Sequence, residues 1–255
     1  MDWQLIGGVG VLGFASSLVN GVLGAGGAIV LIPLFLYGLP ALTGRRLETH
    51  AVTGLTLVAS AASALGGGLG HRGSGHLDLQ PMWRHGAVLA VGSLAGAVGS
   101  ALVSGRVLLI LFGCVTVAAA VVLAFDSREG PAARPRPLLA DALFLAIGVL
   151  GGALGVGAGF LIIPVMIHLL RIPSRTAQAT GLVVLGFTVL PALVGKAATG
   201  QLPWAPVPLL FGAAVAGSWL GALLSLRLPD SGLRWGLVGV VALMGVRVWV
   251  DLLRI

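Results

Sequence analysis

GVLGAGGAIVLIP, residues 21–33, and GALGVGAGFLIIP, residues 152–164, are two copies of one glycine-rich phrase. Five positions of the first copy match five of the second without a gap: Gly21, Leu23, Gly24, Gly26 and Pro33 against Gly152, Leu154, Gly155, Gly157 and Pro164. Each copy lies inside a long apolar run, where glycine is a poor helix former. The repeat of a helix-breaking phrase in two apolar runs predicts two backbone turns that serve the same kind of site.

The composition of the chain predicts an all-α polytopic membrane protein. Of its 255 residues, 57% are hydrophobic and only 9% are charged, with a mean hydropathy of +1.06. Soluble domains carry about a quarter charged residues, whereas long apolar runs are typical of membrane-spanning helices. The 41 glycines follow no collagen period and suit close helix packing in lipid.

The charged and reactive residues exclude several classes of function. The net charge of +7 comes from basic residues in short loops, which is typical of membrane topology and not of nucleic acid binding. Cys114 is the single cysteine, so no disulfide can form within the chain. Because no histidine, cysteine or carboxylate pair stands at ligand spacing, we expect no metal and no other cofactor. A membrane enzyme or scaffold would need a nucleophile and a base that the chain does not offer.

The apolar segments divide the chain into two similar halves. They cover residues 4–39, 49–70, 86–104, 106–125, 138–170, 177–195, 205–226 and 233–250. The charged, proline-rich break DSREGPAARPRP at 126–137 is predicted to be a cytoplasmic linker between a first membrane repeat, 1–125, and a second, 138–255. Each half begins with a long segment that holds the glycine phrase, and three ordinary spans follow.

The two long segments are predicted to be hairpins. A single helix over residues 4–39 would be about 54 Å long at about 1.5 Å per residue, which exceeds the roughly 30 Å of the hydrocarbon core. A turn at 23–27 would instead divide this segment into two limbs. The second half repeats the pattern with limbs at 138–153 and 158–170.

Further matches extend the duplication past the hairpins. Thr53-Gly54-Leu55 aligns with Thr180-Gly181-Leu182, and Gly70 and Gly75-His76-Leu77 align with Gly195 and Gly200-Gln201-Leu202. A hairpin and three spans cross the membrane an odd number of times, so the second half must start from the opposite face. We therefore predict two inverted repeats with 8–10 membrane segments in all, as in many transporters. Nine basic residues against six favour the linker side as cytoplasmic.

The glycine turns are predicted to bind a small anion. Bare backbone groups in lipid cost several kcal/mol each, and the helix that follows each turn presents unpaired N–H groups and a positive dipole end. The expected contacts are the backbone amides of Gly24, Ala25, Gly26 and Gly27 and those of Gly155, Val156, Gly157, Ala158 and Gly159. The alternative is that these glycines only allow tight helix packing.

We expect that Val in place of Gly26 or Gly157 abolishes anion flux and leaves folding intact.

Polar side chains near the turns are candidates for selectivity and coupling. The predicted substrate-binding side chains are Asn20, Thr53, Gln178 and Thr180, although Asn20 can also cap a helix and threonine can bond its own helix backbone. The candidates for proton coupling are Glu48, His50 and His168, with a place at the membrane interface as the alternative. Interfacial anchoring is expected for Lys196, His71, His76 and His85.

The duplicated motifs resemble the TauE/SafE sulfite exporter family. The matching residues are Gly24-Ala25-Gly26-Gly27 to Pro33 with Ala51-Val52-Thr53, and Gly155-Val156-Gly157-Ala158-Gly159 to Pro164 with Ala179-Thr180. The second copy departs from the first in having Ala158 where the first has Gly27. The resemblance implies a membrane permease for sulfite, sulfonates or related small anions. Together with the predicted inverted repeats, it leads us to expect an inner-membrane permease that works by alternating access. A passive anion channel and a permease for a small carboxylate are the alternatives, and the glycine-rich faces would suit a homodimer.

Overall fold

The structure, a computed structural model, is helical throughout the part of the chain that it describes. The described residues are 3–23, 30–70, 80–124, 137–157, 159–168, 174–228, 235, 239, 242–243 and 245–250. The helices of this part are α1 Trp3–Leu23, α2 Leu31–Thr43, α3 Thr49–Gly70, α4 Gln80–Gly99, α5 Gly105–Ala124, α6 Pro137–Leu154, α7 Gly159–His168, α8 Ser174–Ala198 and α9 Val207–Ser225. Residues 245–250 are also helical.

Several helices are long and apolar enough to cross a bilayer. Four of them, spanning Trp3–Leu23, Thr49–Gly70, His85–Leu102 and Val207–Ser225, have mean hydropathies of 1.7, 1.5, 1.5 and 1.8. The shorter apolar helices cover Leu31–Thr43, Gly105–Ala119, Leu138–Leu154 and Val184–Ala198. Large apolar side chains also cover the outer faces, as an exterior in contact with lipid requires. The prediction of an all-α polytopic membrane protein is confirmed.

Helix α2 folds back along α1. A Cβ on Gly8, near the start of α1, would lie 2.7 Å from Thr43 at the end of α2, and one on Gly38 would lie 3.5 Å from Leu12. The residue numbers in these contacts increase along α1 as they decrease along α2, so the two helices are antiparallel. A π-helical turn over Leu34–Gly38 interrupts α2.

Helices α1 and α9 lie in close backbone contact and run in the same direction. Gly217 of α9 faces the carbonyl of Phe14, and Gly221 faces the carbonyl of Leu18. Residue numbers increase together on both helices, which fixes their relative direction. Contacts of this kind need glycine, because any Cβ at these positions would overlap a neighbouring backbone.

Helices α4 and α6 make the same kind of contact. Gly92 of α4 faces the carbonyl of Leu145, and Gly96 faces the carbonyl of Val149. When the two glycine phrases are aligned, these two α6 residues are the counterparts of the two α1 residues that face α9. Helix α4 therefore lies on α6 as α9 lies on α1, and this pair is parallel as well.

Two serine hydrogen bonds connect these pairs to the centre of the molecule. Ser218 Oγ of α9 donates to the carbonyl of Ser63 on α3, at 2.9 Å. Ser93 Oγ of α4 donates to the carbonyl of Thr188 on α8, at 2.6 Å. Helix α9 thus lies beside α3, and α4 lies beside α8.

Helices α3 and α8 meet at the centre of the molecule. The end of α8 lies beside the start of α3, where Lys196 contacts Thr53. Helix α3 is the most buried of the four long apolar helices.

The glycine contacts predict a strong effect of a single methyl group. Ala at Gly96 would collide with the carbonyl of Val149, so we expect a loss of about 1–3 kcal/mol in stability. Gly212 of α9 has no atom within 4 Å of the position that a Cβ would occupy, so Ala there should be neutral or slightly stabilising. Thermal unfolding of the two purified variants in detergent checks this difference, and equal Tm values would contradict it.

Candidate functional site

Lys196 is buried among oxygen atoms at the contact between α3 and α8. It is the only lysine in the chain, and its side chain is 0% exposed. Its Nζ donates to Ser100 Oγ at 2.6 Å, Gln201 Oε1 at 2.7 Å and Thr53 Oγ1 at 3.1 Å. A fourth contact reaches the carbonyl of Ala153 at 3.3 Å. One ammonium group therefore joins residues from both halves of the chain.

Each partner of this ammonium comes from the end of a helix. Thr53 lies in the first turns of α3, and Ser100 begins the 3₁₀ turn Ser100–Leu102 that follows α4. Ala153 belongs to the last turn of α6, where the negative end of the helix dipole favours a cation. Gln201 follows the end of α8. All of these partners are neutral, and no described carboxylate contacts the ammonium.

The sequence-based prediction that Lys196 is an interfacial anchor is wrong. Helix α8 continues to Ala198, and the lysine is fully buried against α3, Ser100 and Gln201. One signal in the sequence pointed to this residue. The remaining basic residues, out of fifteen, are all arginine, so the single lysine is unusual among them.

The second glycine turn lies against the start of α3. Gly155 directly follows α6 in a left-handed conformation with φ +77°, and Gly157 has φ +67°. A Cβ on Gly155 would overlap the Thr53 carbonyl, and the Gly155 carbonyl accepts a hydrogen bond of 2.6 Å from Thr56 Oγ1. The predicted break in the apolar run therefore exists, and it is in contact with a partner of Lys196.

The turn leads directly into α7, which begins at Gly159. Gly155, Val156, Gly157 and Gly159 are all buried, and Ala158 lies outside the described residues. The structure thus brings together the second glycine turn, Thr53 and the buried ammonium.

The first glycine turn lies outside the described residues, including Gly24, Ala25, Gly26 and Gly27. The helix before it can be located: Gly21 faces the carbonyl of Ser218, whose hydroxyl bonds to Ser63. Ser63 lies ten residues beyond Thr53 on α3, which corresponds to about 15 Å along a helix axis.

The other predicted binding residues are scattered along the same helices. Asn20 is fully buried, and neither its Oδ1 nor its Nδ2 has a partner among the described residues. Three more buried hydroxyls lack a partner among the described residues, namely those of Ser17 on α1 and of Ser60 and Ser63 on α3. Thr180 is fully buried in α8. The side chains of Gln178 and His168 lie outside the described part of the structure, although their backbones belong to α8 and α7.

A cavity of about 370 Å³ opens next to the ammonium site. Glu48, His50, Thr199 and Gln201 supply its polar lining. His50 Nδ1 lies 3.1 Å from Gln201 Oε1, the oxygen that also accepts from Lys196. Gln201 therefore lies between the cavity and the ammonium, and both predicted coupling residues of this region line the cavity.

His85, for which an anchoring role at the membrane interface was expected, lies inside α4 and bonds to α6. Its Nδ1 lies 2.8 Å from Asp141 Oδ1 of α6, and its ring stacks on Phe144 at 4.3 Å between centroids. This pair joins α4 to α6.

A second cavity, of about 460 Å³, has an apolar lining from α5, α6 and α7, so it offers no donor to an anion.

The comparison with known families shows which family the chain belongs to. The model of the family described as Sulfite exporter TauE/SafE matches residues 9–248. The chain belongs to the TauE/SafE sulfite exporter family. The resemblance that the glycine motifs indicated is therefore confirmed, and the chain is a multi-pass membrane transporter.

Relatives of this TauE/SafE protein carry similar descriptions. A probable membrane transporter protein of Xylella fastidiosa strain 9a5c is 29% identical over 236 residues, covering 89% of this chain and 85% of the relative. The protein of the same description from strain Temecula1 is 28% identical with the same coverage. The probable membrane transporter protein YunE of Bacillus subtilis is 23% identical over 240 residues, covering 84% and 85%. No solved structure shows significant similarity to the chain.

Proposed function

We propose that this TauE/SafE transporter carries a small anion and binds it at Lys196. The observation that carries the proposal is a fully buried ammonium whose described partners are all neutral oxygens. An ionised group inside a membrane protein is costly without a counter-charge. An anion that enters this site supplies that charge, so binding is favoured by electrostatics as well as by hydrogen bonds.

Hydroxyl and amide groups around the ammonium would complete the anion site. Thr53 Oγ1 now donates to the His50 carbonyl at 2.8 Å, and Ser100 Oγ donates to the Ala97 carbonyl at 2.6 Å. Hydroxyl groups rotate freely enough to donate to a ligand instead. The amides of the second turn, Gly155, Val156, Gly157, Ala158 and Gly159, are the proposed backbone donors.

The first glycine turn would supply the other half of the binding site. Its proposed groups are the amides of Gly24, Ala25, Gly26 and Gly27 with the side chains of Asn20, Gln178 and Thr180. The amide of Asn20 is buried without a partner among the described residues, which supports a polar ligand there. That both turns form a single midplane cradle stays a prediction.

We infer that the chain consists of two inverted repeats, 1–125 and 138–255, joined by the linker 126–137. The support is the pairing of α1 with α9 and of α6 with α4, in which equivalent residues make equivalent contacts. The contact of Lys196, at the end of α8, with Thr53, at the start of α3, supports opposite directions for these two counterparts. Inverted repeats permit alternating access by rocking of one repeat against the other, in the inner membrane and without need of a cofactor.

The family description and the neutral donors around the ammonium support the proposed substrate class. A sulfur-containing oxyanion such as sulfite or a sulfonate suits one ammonium and several neutral donors, and a small carboxylate is the second candidate. Glu48, His50 and His168 remain the proposed groups for proton coupling. A homodimer in the membrane is compatible with the proposal, which does not require it.

Reconstituted protein tests the function and one of its residues together. We expect saturable, electrogenic or pH-coupled uptake of sulfite, methanesulfonate or acetate into proteoliposomes, whereas an unsaturable ohmic current would indicate a channel. Ser100→Ala should weaken the apparent substrate affinity about tenfold, because it removes one hydrogen bond next to a charge. Ser225, also buried, bonds only within its own helix, so Ser225→Ala is the matched control. Equal affinities of the two variants would contradict the proposed site.

A further inference from the structure

We propose that the side-chain oxygen of Gln201 occupies the position of a substrate oxygen and that an entering anion displaces it. Gln201 would then be a gate that closes the cavity of about 370 Å³ over the ammonium of Lys196. This inference rests on the proposed function, since it concerns the same binding site.

The environment of this oxygen is that of an anion. Two groups that can donate converge on Gln201 Oε1: Lys196 Nζ at 2.7 Å and His50 Nδ1 at 3.1 Å. Ser100 Oγ also lies 3.2 Å away, although its proton goes to the closer Ala97 carbonyl. Both lone pairs of the neutral carboxamide oxygen are therefore used, one of them by a charged donor. His50 donates in the tautomer that carries its proton on Nδ1. A charged oxygen would satisfy this set of donors better than the carboxamide does.

The position of Gln201 suits a gate. Its side chain lines the cavity and is 9% exposed, whereas Lys196 behind it is 0% exposed. Glu48 and His50 line the same cavity. An anion that enters from the cavity therefore meets His50 and Gln201 before it can reach the ammonium.

The attachment of Gln201 allows the side chain to move without loss of a helix. The residue lies in the loop after α8, directly after Gly200, which has φ +73°. Its Nε2 donates to Thr199 Oγ1 at 2.7 Å, and its backbone N–H donates to the Lys196 carbonyl at 3.0 Å. The backbone bond fixes the start of the side chain, and rotation about its own bonds carries the carboxamide away once an anion takes over the donors.

The donor distances indicate the class of ligand. Distances of 2.7–3.1 Å around one acceptor are those of hydrogen bonds to oxygen. They are short for the larger chloride ion. The geometry therefore favours an oxyanion, such as a sulfonate, sulfite or carboxylate group, over a halide.

Gln201→Glu tests the gate with a change of charge at nearly constant size. The carboxylate would pair permanently with the ammonium and act as a tethered anion, so we expect methanesulfonate uptake to fall by at least about 100-fold. The variant should fold, because the acceptor facing Lys196 is kept and the Thr199 hydroxyl can turn to donate to the second carboxylate oxygen. Gln201→Ala removes the gate and keeps the ammonium free to bind.

The accessibility of Lys196 gives a readout that does not depend on transport. Because it is the only lysine, acetylation by acetic anhydride can be followed on a single peptide by mass spectrometry. We expect Lys196 in Gln201→Ala to react at least about tenfold faster than in the native protein, and methanesulfonate but not chloride to slow the reaction. Thr116→Val is the matched control, since Thr116 is buried and bonds only to Phe112 of its own helix.

The possible outcomes distinguish a failure of the gate proposal from a failure of the proposed function. Native uptake by Gln201→Glu, or unchanged acetylation in Gln201→Ala, would overturn the gate even where replacement of Lys196 abolishes transport. Protection by chloride equal to that by methanesulfonate would overturn the oxyanion class. Undiminished uptake after replacement of Lys196 by an uncharged residue would instead refute the proposed function itself.

Discussion

Lys196→Met is expected to abolish anion uptake and to leave the protein as stable as before. Removing the buried positive charge takes away the main attraction for the substrate, so we expect uptake to fall by at least about 100-fold. Replacement of a buried ion by an apolar side chain of similar size is often neutral or stabilising. The combination of lost function and retained stability distinguishes a binding residue from a structural one.

The local hydrogen bonds explain why Lys196→Met should not unfold the protein. Without the ammonium, Thr53 Oγ1 still bonds the His50 carbonyl, and Ser100 Oγ still bonds the Ala97 carbonyl. Gln201 Oε1 keeps His50 Nδ1 at 3.1 Å. Each side-chain oxygen of the site thus keeps a partner, so the usual cost of an unsatisfied side-chain group does not arise.

Uptake into proteoliposomes and thermal unfolding in detergent measure the two halves of this prediction. Lys196→Arg is the charge-retaining comparison, and it should keep partial uptake because its planar guanidinium cannot replace the compact ammonium in all contacts. Uptake by Lys196→Met at the native rate would refute the assignment. A large drop in its Tm would indicate a structural role instead.

Gly155→Ala is expected to destabilise the protein strongly. The residue has φ +77°, which costs a non-glycine residue about 1–2 kcal/mol, and its Cβ would overlap the Thr53 carbonyl. The turn cannot move away without disturbing the hydrogen bond from Thr56 Oγ1 to the Gly155 carbonyl. Because the turn touches the anion site, uptake per folded molecule should fall as well.

Gly44→Ala is the matched control for this effect. Gly44 has φ +67° but no atom within 4 Å of a Cβ position, so it reports the conformational cost alone. We expect a Tm decrease of about 2–8 °C for Gly44→Ala and at least about twice that for Gly155→Ala. Similar decreases in both variants would show that the contact with Thr53 contributes nothing.

The same geometry corrects an expectation drawn from the sequence. Val at Gly157 was expected to stop transport without affecting folding. Gly157 has φ +67°, and a Cβ there would collide with Leu185 and lie 2.7 Å from Val189. A substitution by Val at this position therefore affects folding and transport together, and loss of flux in it identifies no binding group.

The sequence predicted the breaks in the helices better than the contacts between the helices. The break at Gly155 and Gly157 was predictable, because glycine has a low helix propensity and tolerates positive φ. The division of 4–39 into α1 and α2 followed from the length of a membrane crossing. The contacts of Gly217 and Gly92 with their partner helices could not be predicted, because many glycines share the same small-residue spacing.

Hydropathy, helix length and residue propensity act locally along the chain, so the amino-acid sequence alone was enough to predict a helical membrane transporter and the glycine turn that follows α6. What the second turn faces depends instead on the packing of distant segments. Thr53, Ser100, Ala153 and Gln201 come from four separate parts of the chain, and Lys196 joins them only because one face of α8 packs against α3. The depth of each turn likewise depends on how the helices are arranged, since glycine-rich contacts fix the axial position of one helix against another.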